Sequence, residues 1–326
     1  MKEKEIGGYF ELELPKAIDH FIHPECAMIN SGRNALEYIL ISIDHKINKI
    51  WVPYYTCDVV LQTILKLNID YQFYHVDINF EINERIELKD NEYIIVNNYF
   101  GIKDRYILKT AGLYGEKLIV DNSQAWYAPV IPGIKTFYSP RKFFGLPDGG
   151  CAYTPIPVNE TLDKDVSYDR CSHLLKRMDI NAEAGYDDFH RNSEILKREP
   201  LKRMSDLSER ILSSIDFDYV KMRRLANYRI LEDNLYESNK LNLSDYGGFE
   251  CPMVYPYLTT DENLRKYLIK NKIFVATYWP NVMSWCKENS IEFSLAKYLI
   301  PLPVDQRYDD GDMEQIIRTI KDGSKD

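Results

Sequence analysis

Three short stretches hold side chains that could act together on one ligand: NSGRNALEYIL (30–40), LIVDNSQAW (118–126) and FYSPRKFFGLPDGG (137–150). In the first, a Ser31-Gly32-Arg33 turn runs straight into an amphipathic helix. Unpaired N–H groups and the positive end of the helix dipole make such a turn an anion site, and a glycine lets a phosphate approach the backbone. Capping of the helix by Asn30 or Ser31 accounts for the same residues. In the second, Asp121 ends an apolar run, where a buried carboxylate needs a partner. A protonated heterocyclic nitrogen would serve, and so, more plainly, would a turn that the aspartate caps. Gln124 is then a turn residue or a second ligand to the same ring. The third stretch carries Lys142 behind Pro140 and ahead of a Gly-Gly pair. A lysine forms a Schiff base only when its amine can lose its proton, which a dry pocket or neighbouring cations promote, and Phe143 and Phe144 could supply dry walls. Most of the 41 Lys and Arg residues are nonetheless surface charges.

These residues can meet only if the fold gathers them. KIWVPYY (49–55), YQFYHVD (71–77), YIIVNNYF (93–100), KLIVDNS (117–123) and IKTFYS (134–139) are short runs rich in β-branched and aromatic residues, as buried strands are. Helical patterns alternate with them over 34–43, 58–67 with Asp58 as N-cap, and 104–115 closing on Gly115. Such alternation implies a mostly parallel sheet covered by helices, with ligands at the carboxyl ends of its strands. The turn, the aspartate and the lysine all fall at strand–loop junctions. Pyridoxal phosphate (PLP) offers three matching handles: a phosphate, a ring nitrogen and an aldehyde.

After Gly150 the pattern changes. The polar stretch 157–200 reads as a link, followed by a helix or helix pair over 204–235, a strand at 253–259, a helix opened by the Thr259…Glu262 spacing, a strand at 272–279 and a last helix at 313–320. Two domains are expected, 1–205 and 206–326. The fold class expected is a three-layer αβα unit with a smaller C-terminal α+β domain.

Composition narrows the function. Apolar residues make up 45% and charged residues 28%, as in ordinary globular proteins. A net charge of −9 with no basic stripe argues against nucleic acid and for a small-molecule partner. The six scattered cysteines form no C-x-x-C, and the N-terminus, MKEKEIGGYFELEL, has no long apolar core, so a reducing cytoplasm is expected, with no membrane span. His20 and His23 stand three apart without other ligands near them, and no metal site is expected. Arg223 and Arg224 read as a solvated helix face or interface charges. No nucleotide-binding glycine motif occurs.

With those residues in hand, the chain resembles the DegT/DnrJ/EryC1/StrS family of PLP-dependent aminotransferases, the sugar branch of fold type I. Ser31-Gly32-Arg33-Asn34-Ala35-Leu36 resembles the family's S-G-T-x-A-L phosphate turn, and Pro53-Tyr54-Tyr55-Thr56 its P-x-x-T segment. VNNYFG (96–101) is similar to its V-H-x-[YF]-G strand end, and Asp121-Asn122-Ser123-Gln124 to its D-x-[AS]-[QH] element. Lys142 followed by Asp148-Gly149-Gly150 resembles K-x₅-[GP]-E-G-G, and LAKYLIPLPV (295–304) the closing A-x-x-L-x-L-P. The chain departs from the pattern at three points. Cys57 stands where an aromatic usually stacks on the cofactor, leaving that to another residue such as Tyr55. Phe137 replaces a phosphate-binding serine, for which Ser139 or Thr136 could substitute. Leu201-Lys202-Arg203 replaces an N-x-R segment whose asparagine reaches the neighbouring subunit's phosphate.

The resemblance implies ping-pong transamination from a donor such as glutamate to a nucleotide-linked keto sugar. Lys142 would hold PLP covalently and move a proton between the donor's α-carbon and the cofactor's C4′. Asp121 would keep the pyridine nitrogen protonated and Gln124 contact the ring, with Ser31, Gly32, Arg33 and Ser139 at the phosphate. The family's dehydratases carry histidine in place of this lysine, so Lys142 speaks against that chemistry. A homodimer with interfacial active sites is also implied. The rival reading, raised by Cys57 and Leu201, is a scaffold of the same fold that has lost turnover and serves as a binding or regulatory module.

Overall fold

The computed structural model describes residues 11–15, 21–158, 161–243 and 247–323. Strands and helices alternate through β1 (Ala27–Ile29), α1 (Gly32–Ile41), β2 (Lys49–Pro53), α2 (Asp58–Lys66), β3 (Tyr71–Tyr74), β4 (Glu92–Asn97), α3 (Asp104–Tyr114), β5 (Leu118–Asn122), β6 (Lys135–Tyr138) and β7 (Gly150–Tyr153). The chain continues through α4 (Ser172–Asp179), α5 (Tyr186–Arg198), α6 (Asp206–Ser213), α7 (Phe217–Leu235), β8 (Val254–Leu258), α8 (Leu264–Lys270), α9 (Val282–Trp285), α10 (Ile291–Tyr298), β9 (Leu299–Pro303) and α11 (Asp310–Gly323).

The first seven strands make one sheet in the order β1-β7-β6-β5-β4-β2-β3, and β8 pairs with β9 in a second. Strands β6, β5, β4, β2 and β3 are parallel, whereas β7 runs against both its neighbours. All residues of β4 and β5 are buried, and successive side chains enter different cores. Ile95 and Ile119 pack with Leu36, Ile39, Val60 and Ile64 of α1 and α2; Ile94, Val96, Leu118 and Val120 belong to the core that includes Leu231 and Tyr255. Strands covered on both faces carry unbroken apolar runs, which is why YIIVNNYF and KLIVDNS show no alternation.

Several sequence expectations need correction. The stretch 157–200 contains α4 and α5. Its helices are amphipathic, but they turn Leu175, Met178, Tyr186 and Phe189 to the surface, as does Ile180 of their connection. Residues 272–279 belong to no strand. Their apolar periodicity comes from Ile273, Val275 and Trp279 turning inward from irregular backbone. The Thr259…Glu262 spacing caps nothing: Thr259 Oγ1 accepts the Asp261 N–H, Glu262 binds Lys297 and Tyr298, and α8 starts only at Leu264. Asp58 is the first residue of α2, with Cys57 at the cap position. His23 is buried against Trp126 and Tyr138, where burial pulls its pKa to about 4. His20 and residues 1–10 lie outside the described residues. Arg224 is also buried. It donates to the carbonyls of Phe143 (3.3 Å), Pro252 (3.4 Å) and Met253 (3.0 Å) and to Gln306 Oε1 (3.1 Å), tying the loop after Lys142 to the approach to β8.

Among the described residues, no helix is long and apolar enough to cross a membrane, and no group of three His, Cys, Asp or Glu is placed to hold a metal.

Candidate active site

Strand β1 hands over to α1 at Ser31. This residue is the N-cap, extended, with its Oγ accepting the Asn34 N–H at 3.1 Å. A Cβ on Gly32 would lie 3.2 Å from Ser139 Cβ, so the turn and the loop after β6 are in contact. The Gly-Gly pair packs on the backbone just ahead of the turn. Gly149 adopts φ +140° and its N–H donates to the Asn30 carbonyl at 2.8 Å. A Cβ on Gly150 would fall 2.2 Å from the Ser31 carbonyl oxygen, a separation no side chain can occupy. Asp148, fully buried, accepts from the Ser205 N–H (2.9 Å), Ser205 Oγ (2.6 Å) and Ser208 Oγ, and so anchors the start of α6. Gly150→Ala should destabilise the chain by about 3 kcal/mol, measured by chemical denaturation, because backbone must move to admit the methyl group. An unchanged midpoint would contradict this packing.

The turn opens into a cavity of about 230 Å³ lined by Ser31, Gly32, Arg33, Asp121, Gln124, Ser139 and Lys142. These seven residues were singled out from sequence. They reach it from the N-terminus of α1, the carboxyl end of β5 and the loop after β6, as parallel sheets dictate. Tyr55 does not line it. Its ring lies in the core among Phe80, Tyr99 and Trp279, because the side chain turns inward from the β2–α2 loop. Phe143 and Phe144 are not its dry walls either: they pack on Arg224 and on Trp126 and Phe217. The apolar wall consists of Leu36, Val59, Val60, Phe137, Leu196 and Trp279.

The electrostatics follow from burial. Asp121 Oδ1 accepts the Ser123 N–H at 2.8 Å, and its carboxylate makes no ion pair with a described residue. Burial pushes its pKa above the usual carboxylate range, opposed by the charge of Lys142 and by the bonds from Ser123. Lys142 is exposed and its Nζ makes no hydrogen bond or ion pair with a described residue. Gln124 Oε1 accepts the Phe100 N–H at 3.0 Å, which fixes the amide orientation and leaves the buried Nε2 donor without a partner. Asn97 is its counterpart: Nδ2 donates to Thr56 Oγ1 at 2.9 Å and Oδ1 is left without a donor. Burial raises the Cys57 thiol pKa and lowers that of Arg33.

Sequence reasoning missed Ser193, Leu196 and Lys197 of α5, and Trp279. The motif VNNYFG contained Asn97 and Asn98 without distinguishing them from strand residues. Only the register of β4 beside β5, which sets Asn97 opposite Asp121, brings them to the pocket. Leu201-Lys202-Arg203 runs along β1, with the Lys202 carbonyl accepting the Asn30 N–H at 3.0 Å.

No family model and no curated protein matches the chain. Among solved structures it is similar to the sugar aminotransferase CalS13 from Micromonospora echinospora, at 17% identity over 92% of this chain and 88% of that one, with a TM-score of 0.59. It is also similar to a DegT DnrJ EryC1 StrS aminotransferase from Brucella abortus, at 15% identity, 91% and 85% coverage and a TM-score of 0.57. A third is NtdA from Bacillus subtilis with bound cofactor PMP, at 13% identity, 92% and 73% coverage and a TM-score of 0.63. Likeness at such identities is likeness of fold. The chain therefore has the fold of these aminotransferases, the fold-type I αβα architecture with a mostly parallel seven-stranded sheet and a second, smaller sheet.

Proposed function

We propose that this chain is a PLP-dependent aminotransferase of the DegT/DnrJ/EryC1/StrS type, moving an amino group from an amino acid such as glutamate to the keto group of a nucleotide-linked sugar. The observation that carries the reading is the meeting of Lys142, Asp121 and the Ser31-Gly32 turn in one pocket. The residues present fit the cofactor. An unpaired buried carboxylate suits a protonated ring nitrogen, the orphaned donor of Gln124 and acceptor of Asn97 suit the polar edge of the ring, and the N-terminus of α1 suits a phosphate. The similar structures, two of them aminotransferases and one holding PMP, add support.

When bound, PLP supplies an electrophilic aldehyde carbon and an electron-accepting ring. Asp121 holds the proton on the ring nitrogen, so that the ring accepts charge in the transition state. Lys142 Nζ would take the proton from the donor's α-carbon and deliver it to the cofactor's C4′, and in the second half-reaction would move a proton from C4′ to the acceptor carbon that receives the amino group. Ser31, Gly32, Arg33 and Ser139 keep the phosphate in place, and Leu36, Val60, Phe137 and Trp279 exclude water. Purified protein given PLP should develop a visible absorption band that borohydride bleaches and that glutamate discharges. A protein that stays colourless would sink the assignment and favour the inactive scaffold.

The same reading includes a homodimer. Exposed Leu175, Met178, Ile180, Tyr186 and Phe189 gather on α4, α5 and their connection, and α5 also supplies Ser193 and Lys197 to the pocket. A second copy covering this face would bury apolar surface and close the site. Light scattering should then give twice 38.4 kDa, and a monomer mass would refute the dimer. The reading also takes 1–205 and 206–326 as two domains, which the start of α6 at Asp206 supports. Six unpaired cysteines support a cytoplasmic location.

A further inference from the structure

Four cationic side chains line the pocket, Arg33, Arg141, Lys142 and Lys197, against the single carboxylate of Asp121. Arg33 donates to the Leu196 carbonyl (3.2 Å) and to Gln62 Oε1 (3.3 Å). Lys197 pairs with Glu194. Lys142 is the amine of the proposed reaction. Arg141 differs from all three: its Nε donates to the Leu146 carbonyl at 3.3 Å, and its terminal amino groups make no hydrogen bond or ion pair with a described residue. Asp148 attracts it, but both oxygens of that carboxylate already accept from Ser205 and Ser208. The other charged neighbours, Arg170 and His173, bring no anion. Burial without an ion pair lowers the guanidinium to about 10. Such a group gains more from an incoming anion than a solvated one does, and its planar fork matches a carboxylate in two parallel hydrogen bonds.

We propose that Arg141 binds the α-carboxylate of the amino donor. The inference rests on the aminotransferase reading and extends it to a residue that no motif named. Arg141 and Lys142 are consecutive in the 3₁₀ turn Pro140–Lys142, and both line the cavity. In an α-amino acid, amine and carboxylate share one carbon. A donor whose nitrogen is brought to Lys142 therefore sets its carboxylate beside Arg141. The phosphate is held elsewhere, by the start of α1 and Ser139, which leaves the fork of Arg141 for substrate.

The test is a spectral titration of the PLP-loaded protein with 2-methylglutamate, which has no α-hydrogen and so reports binding without turnover. Arg141→Gln should raise its Kd by about 10- to 100-fold, and Arg141→Lys by less, since it keeps the charge and loses the fork. Both should leave the cofactor band and the weak binding of 4-aminobutyrate, which lacks a carboxylate on its amine-bearing carbon, where they were. An unchanged Kd in Arg141→Gln overturns the proposal. Should that variant fail to fold, the wild type decides: equal affinity for the two amines overturns it, and a preference for 2-methylglutamate that Arg141→Lys weakens upholds it. Should the wild type take up no PLP, the function reading fails by itself, and calorimetry with maleate then tests the anion site. Binding that Arg141→Gln abolishes supports the site, and no binding to the wild type overturns it.

Discussion

Lys142→Ala is expected to abolish the borohydride-sensitive band and to lower amino transfer by about 10³-fold or more, while changing unfolding free energy by about 1 kcal/mol or less. The two halves of this expectation have separate origins. The lysine is exposed, with no hydrogen bond or ion pair to a described residue, so the folded state loses little when its side chain goes. The proposed chemistry would lose the group that is to carry the cofactor and move the proton, and no other pocket amine replaces it, since Lys197 is engaged by Glu194. Absorbance, single-turnover rates and denaturant unfolding on one preparation check all three claims. A variant that keeps the band would remove Lys142 from its role.

Asp121→Asn should move activity and stability in opposite directions. An amide cannot hold a proton on the ring nitrogen, so amino transfer should fall by about 10²-fold or more, the size of losing one aimed electrostatic contact in a water-poor site. The cofactor-free protein should become more stable. In the unfolded chain this carboxyl titrates at its ordinary value of 3.8, and in the folded chain burial raises it. Above 3.8 the unfolded chain therefore binds fewer protons at this group than the folded one, and stability falls as pH rises through the raised folded pKa. Asparagine removes that loss. Thermal unfolding without cofactor should show a higher Tm for the variant at pH 7, with the gap closing toward pH 3. A gap that widens in acid would mean that the carboxylate is stabilised by its surroundings.

Much of the site was legible because its chemistry sits at strand ends, where short apolar runs stop at polar residues. Asp121 and Lys142 each follow such a run, and the parallel order of β4, β5 and β6 brings their ends to one edge; Ser31 follows β1, which shares their direction because β7 runs against both β1 and β6. Trp279 was not legible. It reaches the pocket because Asn281 Nδ2 donates to the Thr56 carbonyl at 2.9 Å, a contact across 225 residues that no local pattern encodes. Tyr55 was misjudged for the related reason that strand alternation does not extend into a loop, so nothing in PYYT says which tyrosine turns inward. Helices α4 and α5 escaped notice because charged and polar residues dominate them, so the stretch read as a polar link although each helix carries an apolar stripe. KIFVATYW misled in the opposite sense, since buried side chains on irregular backbone imitate a strand.

The edge strand β1 carries the anion turn, yet what holds it is remote. On one side it pairs with β7, through Met28 opposite Cys151; on the other, the Met204 N–H donates to the Met28 carbonyl at 3.1 Å. The turn precedes both supports in the chain and receives them only once 150–153 and then 202–204 have been made. Cofactor capture, if it follows the proposed function, would consequently be a signature of a finished sheet. A chain released short of Met204 would keep the pairing of β1 with β7 and lack the support on the other side of the strand.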